Sequence, residues 1–257
     1  MRSTVADDLP GRPAKPPVFV AATAELAGER VTLRGPEGKH ASTVRRLVPG
    51  ERVDVTDGAG LVAECVVAGA RQAELELTVL DLRTEPQPEP RITVLQAIPK
   101  GDRGELAVEL MTEAGVDVIV PWAAQRCVAV WRGERASRSL ARWITAAEQA
   151  AKQSRRSWFP EVTGQADLPA AVRLVSGAAL AVVLDPDAAE PLGAVAMPDR
   201  GEVVLVVGPE GGISPAEDQA LAAAGGIAAR LGPTVMRASS AAAIAAGVLL
   251  SRSARWA

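Results

Sequence analysis

Histidine and cysteine are nearly missing from this chain of 257 residues: His40 stands alone, and only Cys65 and Cys127 carry thiols. One imidazole and two distant thiols cannot supply the clustered ligands of a His/Cys zinc site, so no metal is expected. A Ser-His-Asp triad would have to use His40, and no G-x-S-x-G accompanies it. Both cysteines sit in apolar runs and read as small buried hydrophobes rather than a disulfide. No apolar run reaches the ~18 residues of a membrane span, so no membrane partner is expected. Residues 1–16 are rich in Pro, Gly and Asp and lack the apolar stretch of a secretory signal. They read as a disordered tail, and a cytoplasmic protein is the default. Phosphate-binding fingerprints are lacking too, with no G-K-[ST] and no G-x-G-x-x-G.

What is present is enough apolar residue for a core, at 48% of the chain, and a net charge of only -3. That charge is unevenly spread. Residues 126–156 hold eight basic and two acidic groups, while the rest of the chain is acidic. A concentration of one sign is a steering feature. Residues 84–91 (TEPQPEPR) cannot continue a strand or helix and read as a linker. Before them, residues 17–83 carry short strand patterns at 30–33, 52–56, 61–67 and 74–82, with Asp57-Gly58 as a hairpin signal and only 39–47 helical. A small β-barrel is expected. After the linker, in 92–257, strands and helices alternate. Near-continuous apolar strands at 92–98, 116–120, 178–184, 203–207 and 227–231 predict a parallel sheet covered on both faces, an α/β domain.

Three segments stand out in that second part. In residues 134–156, Leu140, Ile144, Ala147 and Ala151 form an apolar stripe, while Arg135, Arg138 and Arg142 share another face. Lys152, Arg155 and Arg156 continue the basic character, and Trp122, Trp131, Trp143 and Trp158 lie in or beside the segment. Arginine with tryptophan suits phosphate contact plus base stacking, and a solvated helix face is the alternative. Next, an apolar strand runs into Gly208-Pro209-Glu210-Gly211-Gly212, followed by Ser214-Pro215-Ala216-Glu217, an N-cap, a proline at N1 and a glutamate at N3. Glycines after a parallel strand let a ligand approach the backbone, with a plain tight turn as the alternative. A second such turn, Leu231-Gly232-Pro233-Thr234-Val235-Met236-Arg237, leads into an apolar helix that must be buried.

These segments, with Lys100–Pro121 (KGDRGELAVELMTEAGVDVIVP) and EQAAKQSRR, resemble the RsmE family of small-subunit ribosomal RNA methyltransferases, of the SPOUT superfamily. The resemblance spans roughly residues 17–255. It implies an N-terminal PUA-like β-barrel that binds RNA and a C-terminal α/β methyltransferase domain with a trefoil knot. It also implies a homodimer that uses S-adenosyl-L-methionine to methylate N3 of a uridine in 16S rRNA of the small ribosomal subunit. Carried over residue by residue, the cofactor site comprises Leu184 and Asp185, then Gly208, Pro209, Glu210, Gly211 and Gly212, then Leu231, Gly232, Val235, Met236 and Arg237. Arg237 is the candidate to stabilise charge on the uracil, and Glu210 the candidate for its proton. RNA contacts fall on His40, Arg46, Lys100, Arg103, Arg126, Arg135, Arg138, Arg142, Arg155 and Arg156. Ser239-Ser240 replaces the family's usual acidic-hydroxyl pair, so no acid is carried over at 239. Two other readings stand beside this one: a SPOUT enzyme acting on another RNA site, and a non-catalytic rRNA-binding or assembly protein. The terminal helix, at 240–253, is expected to make the dimer contact through Ala241, Ala242, Ala245 and Ala246, small enough for a second helix to approach.

Overall fold

The computed structural model describes residues 16–101 and 103–256. They fall into two compact units, with the division between Glu85 and Pro86.

The first unit begins with β1 (Val18–Val20), a single turn α1 (Thr23–Leu26) and β2 (Arg30–Leu33). Next come α2 (Gly35–Lys39), continued by a π-helical turn over His40–Val44, then β3 (Arg52–Thr56), β4 (Leu61–Arg71) and β5 (Glu74–Thr84). The strands make one five-stranded sheet in the order β1-β3-β4-β5-β2. Only β1 and β3 run parallel; the other pairs are antiparallel. The edge strand β2 pairs with β5 and not with β1, so the expected barrel takes the form of a curled half-barrel. Its inward positions alternate, as a half-buried sheet requires: Val53 and Val55, Leu75 and Leu77, and Val31 and Leu33 bury against Phe19 and Leu26. Two register shifts in the long β4–β5 pair, beside Glu64 and Gly69, interrupt the ladder and sharpen the local bend.

The Asp57-Gly58 turn is held by its own side chain, since Asp57 Oδ1 accepts from Ala59 N (2.8 Å) and Leu61 N (3.0 Å). Helical structure is more extensive here than residues 39–47 alone. The first GPEG is the body of α2, whereas the second, at 208–211, is a loop. Cys65 is buried, and burial pushes its thiol up to about 11; Cys127 is half-buried and raised for the same reason. Both are free.

The second unit opens with β6 (Arg91–Ala97), α3 (Arg103–Glu113), β7 (Val118–Trp122) and the long α4 (Gly133–Gln153). It continues through β8 (Glu161–Val162), α5 (Leu168–Gly177), β9 (Leu180–Leu184), β10 (Glu202–Val207), α6 (Pro215–Ala223), β11 (Ile227–Ala229) and α7 (Ala238–Leu250). All strand pairings in its six-stranded sheet are parallel, in the order β11-β9-β10-β6-β7-β8. The apolar run of β10 divides between the two faces with period two. Val203, Leu205 and Val207 meet α3, α4 and α7, while Val204 and Val206 meet α5 and α6. Helix α3 stops at Gly115, which has φ +93 and lets Val116 N reach back to Met111 O (3.0 Å). Asp102, three residues before Glu105 and so spaced as the N-cap of α3, lies outside the described residues. Among the described residues no helix is long and apolar enough to cross a membrane.

Three side-chain expectations change. The spacing of Leu106, Leu110 and Ala114 marks one apolar helix face, yet α3 buries Ala107, Val108, Met111 and Thr112 and leaves Leu106 exposed. Helix α4 buries Trp143, Ala147, Ala150 and Ala151, leaving Ile144 partly exposed. The alanines of α7 are the third case. Ala241, Ala242, Ala245 and Ala246 are covered within the single chain, in the cluster that holds α3 and β10. They let α7 sit close on its own sheet, so they are not an outward dimer face. A charge at Ala245 would break the fold before it broke an interface.

Candidate methyltransferase site

Parallel strands end level with one another. Val207 of β10 pairs with Leu184 of β9 and Gln96 of β6, Leu184 pairs with Ala229 of β11, and Gln96 pairs with Pro121 of β7. Their following loops therefore stand side by side at the carboxyl edge, where open α/β sheets bind ligands.

The loops after β9, β10 and β11 enclose a cavity of about 700 Å³. Its wall holds Leu184, Asp185, Gly208, Pro209, Glu210, Gly212, Leu231, Gly232, Val235, Met236 and Arg237. Val183, Val207 and Ile213 add apolar surface, and Pro186, Asp187 and Asp218 complete the rim. Gly211 does not line it. A Cβ on Gly211 would lie 3.3 Å from Arg126 Cβ, so this glycine makes room for an arginine and not for a ligand. Gly212, with φ +74, makes the turn that lets its N–H donate to Pro209 O at 2.8 Å.

The loop after β10 is held from two directions. Ser214 caps α6 and Glu217 answers it: the buried carboxylate accepts from Ser214 N (3.0 Å) and Ser214 Oγ (2.8 Å). Its other oxygen accepts from Gln125 N at 2.6 Å, tying the segment after β7 to the same loop. Arg126 completes this link by donating to Gly211 O (3.1 Å) and Ile213 O (3.4 Å). Arg126, carried over as an RNA contact, thus lines the donor cavity and braces its loop. The cross-chain role of Glu217 was missed, because a capping box alone does not show that its second oxygen has a distant donor.

A second, more open hollow of about 630 Å³ adjoins the first and is lined by Lys100, Gly101, Arg103, Leu106, Val128 and Glu210. Glu210 borders both, since its loop follows β10, which lies between β9 and β6. Lys100 and Arg103 reach the sheet's working edge because they follow β6.

The remaining basic candidates separate into four groups. His40 and Arg46 are exposed on the first unit, His40 with its ring edge on Phe19 at 6.0 Å between centroids. Arg135, Arg138 and Arg142 are exposed along α4, where Arg138 pairs with Glu134 and Arg142 with Glu105 (3.1 Å). Arg155 is exposed just beyond α4. Arg156 is withdrawn as an RNA contact, because its side chain is 12% exposed and spent on the fold. It donates to Thr112 O, Val116 O and Trp158 O and pairs with buried Asp117 at 3.0 Å. Burial pulls its guanidinium below the usual arginine range, and Asp117 opposes that pull. Arg255 pairs with the same carboxylate at 2.6 Å. The tryptophans are corrected likewise. Trp122, Trp131 and Trp143 are buried, the last two edge to face at 5.1 Å, so they cannot stack on a base.

A model described as the RNA methyltransferase domain matches residues 85–250, and one described as the RNA methyltransferase PUA domain matches residues 33–78. Fold and site together therefore define an RNA methyltransferase with a PUA domain. Two curated proteins named ribosomal RNA small subunit methyltransferase E, from Mycobacterium tuberculosis and Mycobacterium bovis, are each 45% identical over 93% of this chain and 93% of their own. The chain belongs to that family, RsmE. Among solved structures, an RsmE from Neisseria gonorrhoeae bound to S-adenosyl methionine aligns with TM-score 0.80 and 28% identity, over 92% of this chain and 97% of that one. A Legionella pneumophila methyltransferase in complex with S-adenosylmethionine shares the fold at TM-score 0.82 and 24% identity, over 93% and 98%.

Proposed function

We propose that this chain is the S-adenosyl-L-methionine-dependent methyltransferase that modifies N3 of one uridine in 16S rRNA, working as a cytoplasmic homodimer on RNA of the small ribosomal subunit. The observation that carries the reading is the single cavity formed by the loops after β9, β10 and β11 beside a basic hollow. A trefoil-knotted path through these loops belongs to the same proposal.

The residues suit that donor. Apolar Leu184, Val207, Leu231 and Met236 offer a surface for a flat adenine, and backbone groups of the three loops offer its hydrogen bonds. Asp185, Asp187, Glu210 and Asp218 outnumber Arg126 and Arg237 around the wall, a balance that favours a cation. When bound, S-adenosylmethionine supplies an electrophilic methyl group on a sulfonium. The chain must do the rest: hold the acceptor nitrogen in line and handle its proton. Uridine N3 is mostly protonated at neutral pH. Loss of that proton puts negative charge on N3 and the flanking uracil carbonyls, and the charge is consumed when N3 takes the methyl group and the methyl–sulfur bond breaks, which would leave a neutral thioether. Glu210, exposed at the border of both cavities and in no side-chain hydrogen bond among the described residues, takes the proton. Arg237 lines the donor cavity, enters no ion pair among the described residues, and stabilises the developing anion.

Equilibrium dialysis with labelled S-adenosylmethionine tests the donor half. Micromolar uptake is expected; no uptake would leave a non-catalytic RNA-binding protein. Gly232→Val refines the test. A Cβ at Gly232 meets nothing within 4 Å, so a valine there projects into the cavity wall without disturbing the packing. Donor affinity should fall at least tenfold with circular dichroism and melting unchanged. Unaltered affinity would remove the loop after β11 from the donor site.

The basic face of α4 gives a separate test of the RNA half. Reversing charge at Arg135, Arg138 and Arg142 together should weaken binding to 16S rRNA and flatten its dependence on salt, because fewer counterions are released. Donor affinity should not move. Wild-type RNA affinity and salt slope in that variant would make the face merely solvated.

A further inference from the structure

We infer that the hollow between Lys100, Leu106 and Val128 is the seat of the methyl-accepting nucleotide, with aliphatic side chains in place of aromatic ones gripping the base. This rests on the methyltransferase reading above and assigns the acceptor side of the same site.

Four observations carry it. The hollow opens at the same edge of the sheet as the donor cavity and shares Glu210 with it, so a base placed there lies next to the donor. Its lining is apolar yet open: Leu106 is 47% and Val128 65% exposed, although α3 buries Val108 and Met111. Two bare aliphatic side chains lining one hollow form a joint apolar surface of the kind that is covered on binding. The rim is cationic, since neither Lys100 nor Arg103 enters an ion pair among the described residues. By contrast, Arg142 beside them is spent on Glu105. Finally, among the described residues no aromatic side chain lines the hollow, so Leu106 and Val128 are its apolar contacts for an unpaired base.

Apolar surface with free positive charge around it complements an extruded pyrimidine whose flanking phosphates stay at the rim. Extrusion is required, because N3 of a paired uridine faces its partner and cannot receive a methyl group. Leu106 and Val128 are thus positioning residues for the acceptor, and Lys100 and Arg103 hold the phosphates.

The test uses the full chain, saturating S-adenosylmethionine and small ribosomal subunits from a strain that lacks this activity. In single-turnover reactions, L106A/V128A should transfer the methyl group at least tenfold more slowly. Its donor affinity should stay within twofold of wild type and its melting temperature should not change, since both side chains are already exposed. K100Q/R103Q should instead raise the subunit concentration needed for half-maximal rate about tenfold and lower the salt slope of binding. Wild-type rates and subunit affinity in both double variants would overturn the assignment while leaving the methyltransferase intact. A wild-type chain that binds no donor and methylates no subunit RNA would overturn the underlying reading, and the acceptor seat with it.

Discussion

Glu210→Gln is expected to slow methyl transfer about 10²–10⁴-fold at neutral pH, the usual cost of losing a positioned general base. Glutamine keeps the shape of the loop and its neutral hydrogen-bonding capacity but cannot take a proton. The diagnostic feature is the pH profile. As pH rises, uridine N3 loses its proton to solvent without help, so the variant should recover toward the wild-type rate in alkaline buffer. Arg237→Ala should behave differently. Its loss leaves the uracil anion unsupported at every pH, so a defect of roughly 10²–10³-fold should persist across the profile. Rapid-quench assays at saturating donor would separate the two. An E210Q profile parallel to wild type would mean that Glu210 only shapes the loop.

Asp117→Ala is expected to destabilise the second unit strongly. Its carboxylate is 6% exposed, accepts from Ile92 N (2.9 Å), and neutralises both Arg156 and Arg255. Removing it would leave two buried guanidiniums facing each other. Breaking a buried pair in this way costs about 3–5 kcal/mol. For a unit of this size that corresponds to a fall in melting temperature on the order of 6–20 °C. Arg255 also donates to Pro90 O and Gly115 O, so the cluster fastens the end of the chain to the start of the sheet. A calorimetric scan that shows less than a few degrees of change would mean that water reaches the site and replaces the carboxylate.

Much of this architecture is legible in the residues, and the reasons are specific. Strands β2 and β3 occur where alternation places them, and the apolar run of β10 is central because both of its faces are covered. The glycine turns after β10 and β11 are visible because a turn that bares backbone at a strand end needs glycine and proline. Their meeting in one cavity also needs the loop after β9, and that depends on strand order, which periodicity does not carry. Helix faces were harder. Leu106 and Leu110 share a side of α3, but the buried side is drawn one position round, where Gly104 lets Trp143 approach to within 2.6 Å of a would-be Cβ. Close packing against a glycine outweighs the pull of a leucine. Among the arginines, charge alone cannot tell Arg156, locked on Asp117, from Arg155 one residue before it. Only the fold brings Arg156 and Arg255, 39 and 138 positions beyond Asp117, into one ion cluster.

Nucleoside mass spectrometry of 16S rRNA is the most direct test of the central claim. The RNA would come from a host deleted for its own enzyme of this family, with and without this chain supplied in trans. One N3-methyluridine is expected to vanish on deletion, return fully with the wild-type chain, and stay absent or scarce with E210Q. Full expression of the wild-type chain without return of that nucleoside, or its appearance on another RNA, would contradict the account.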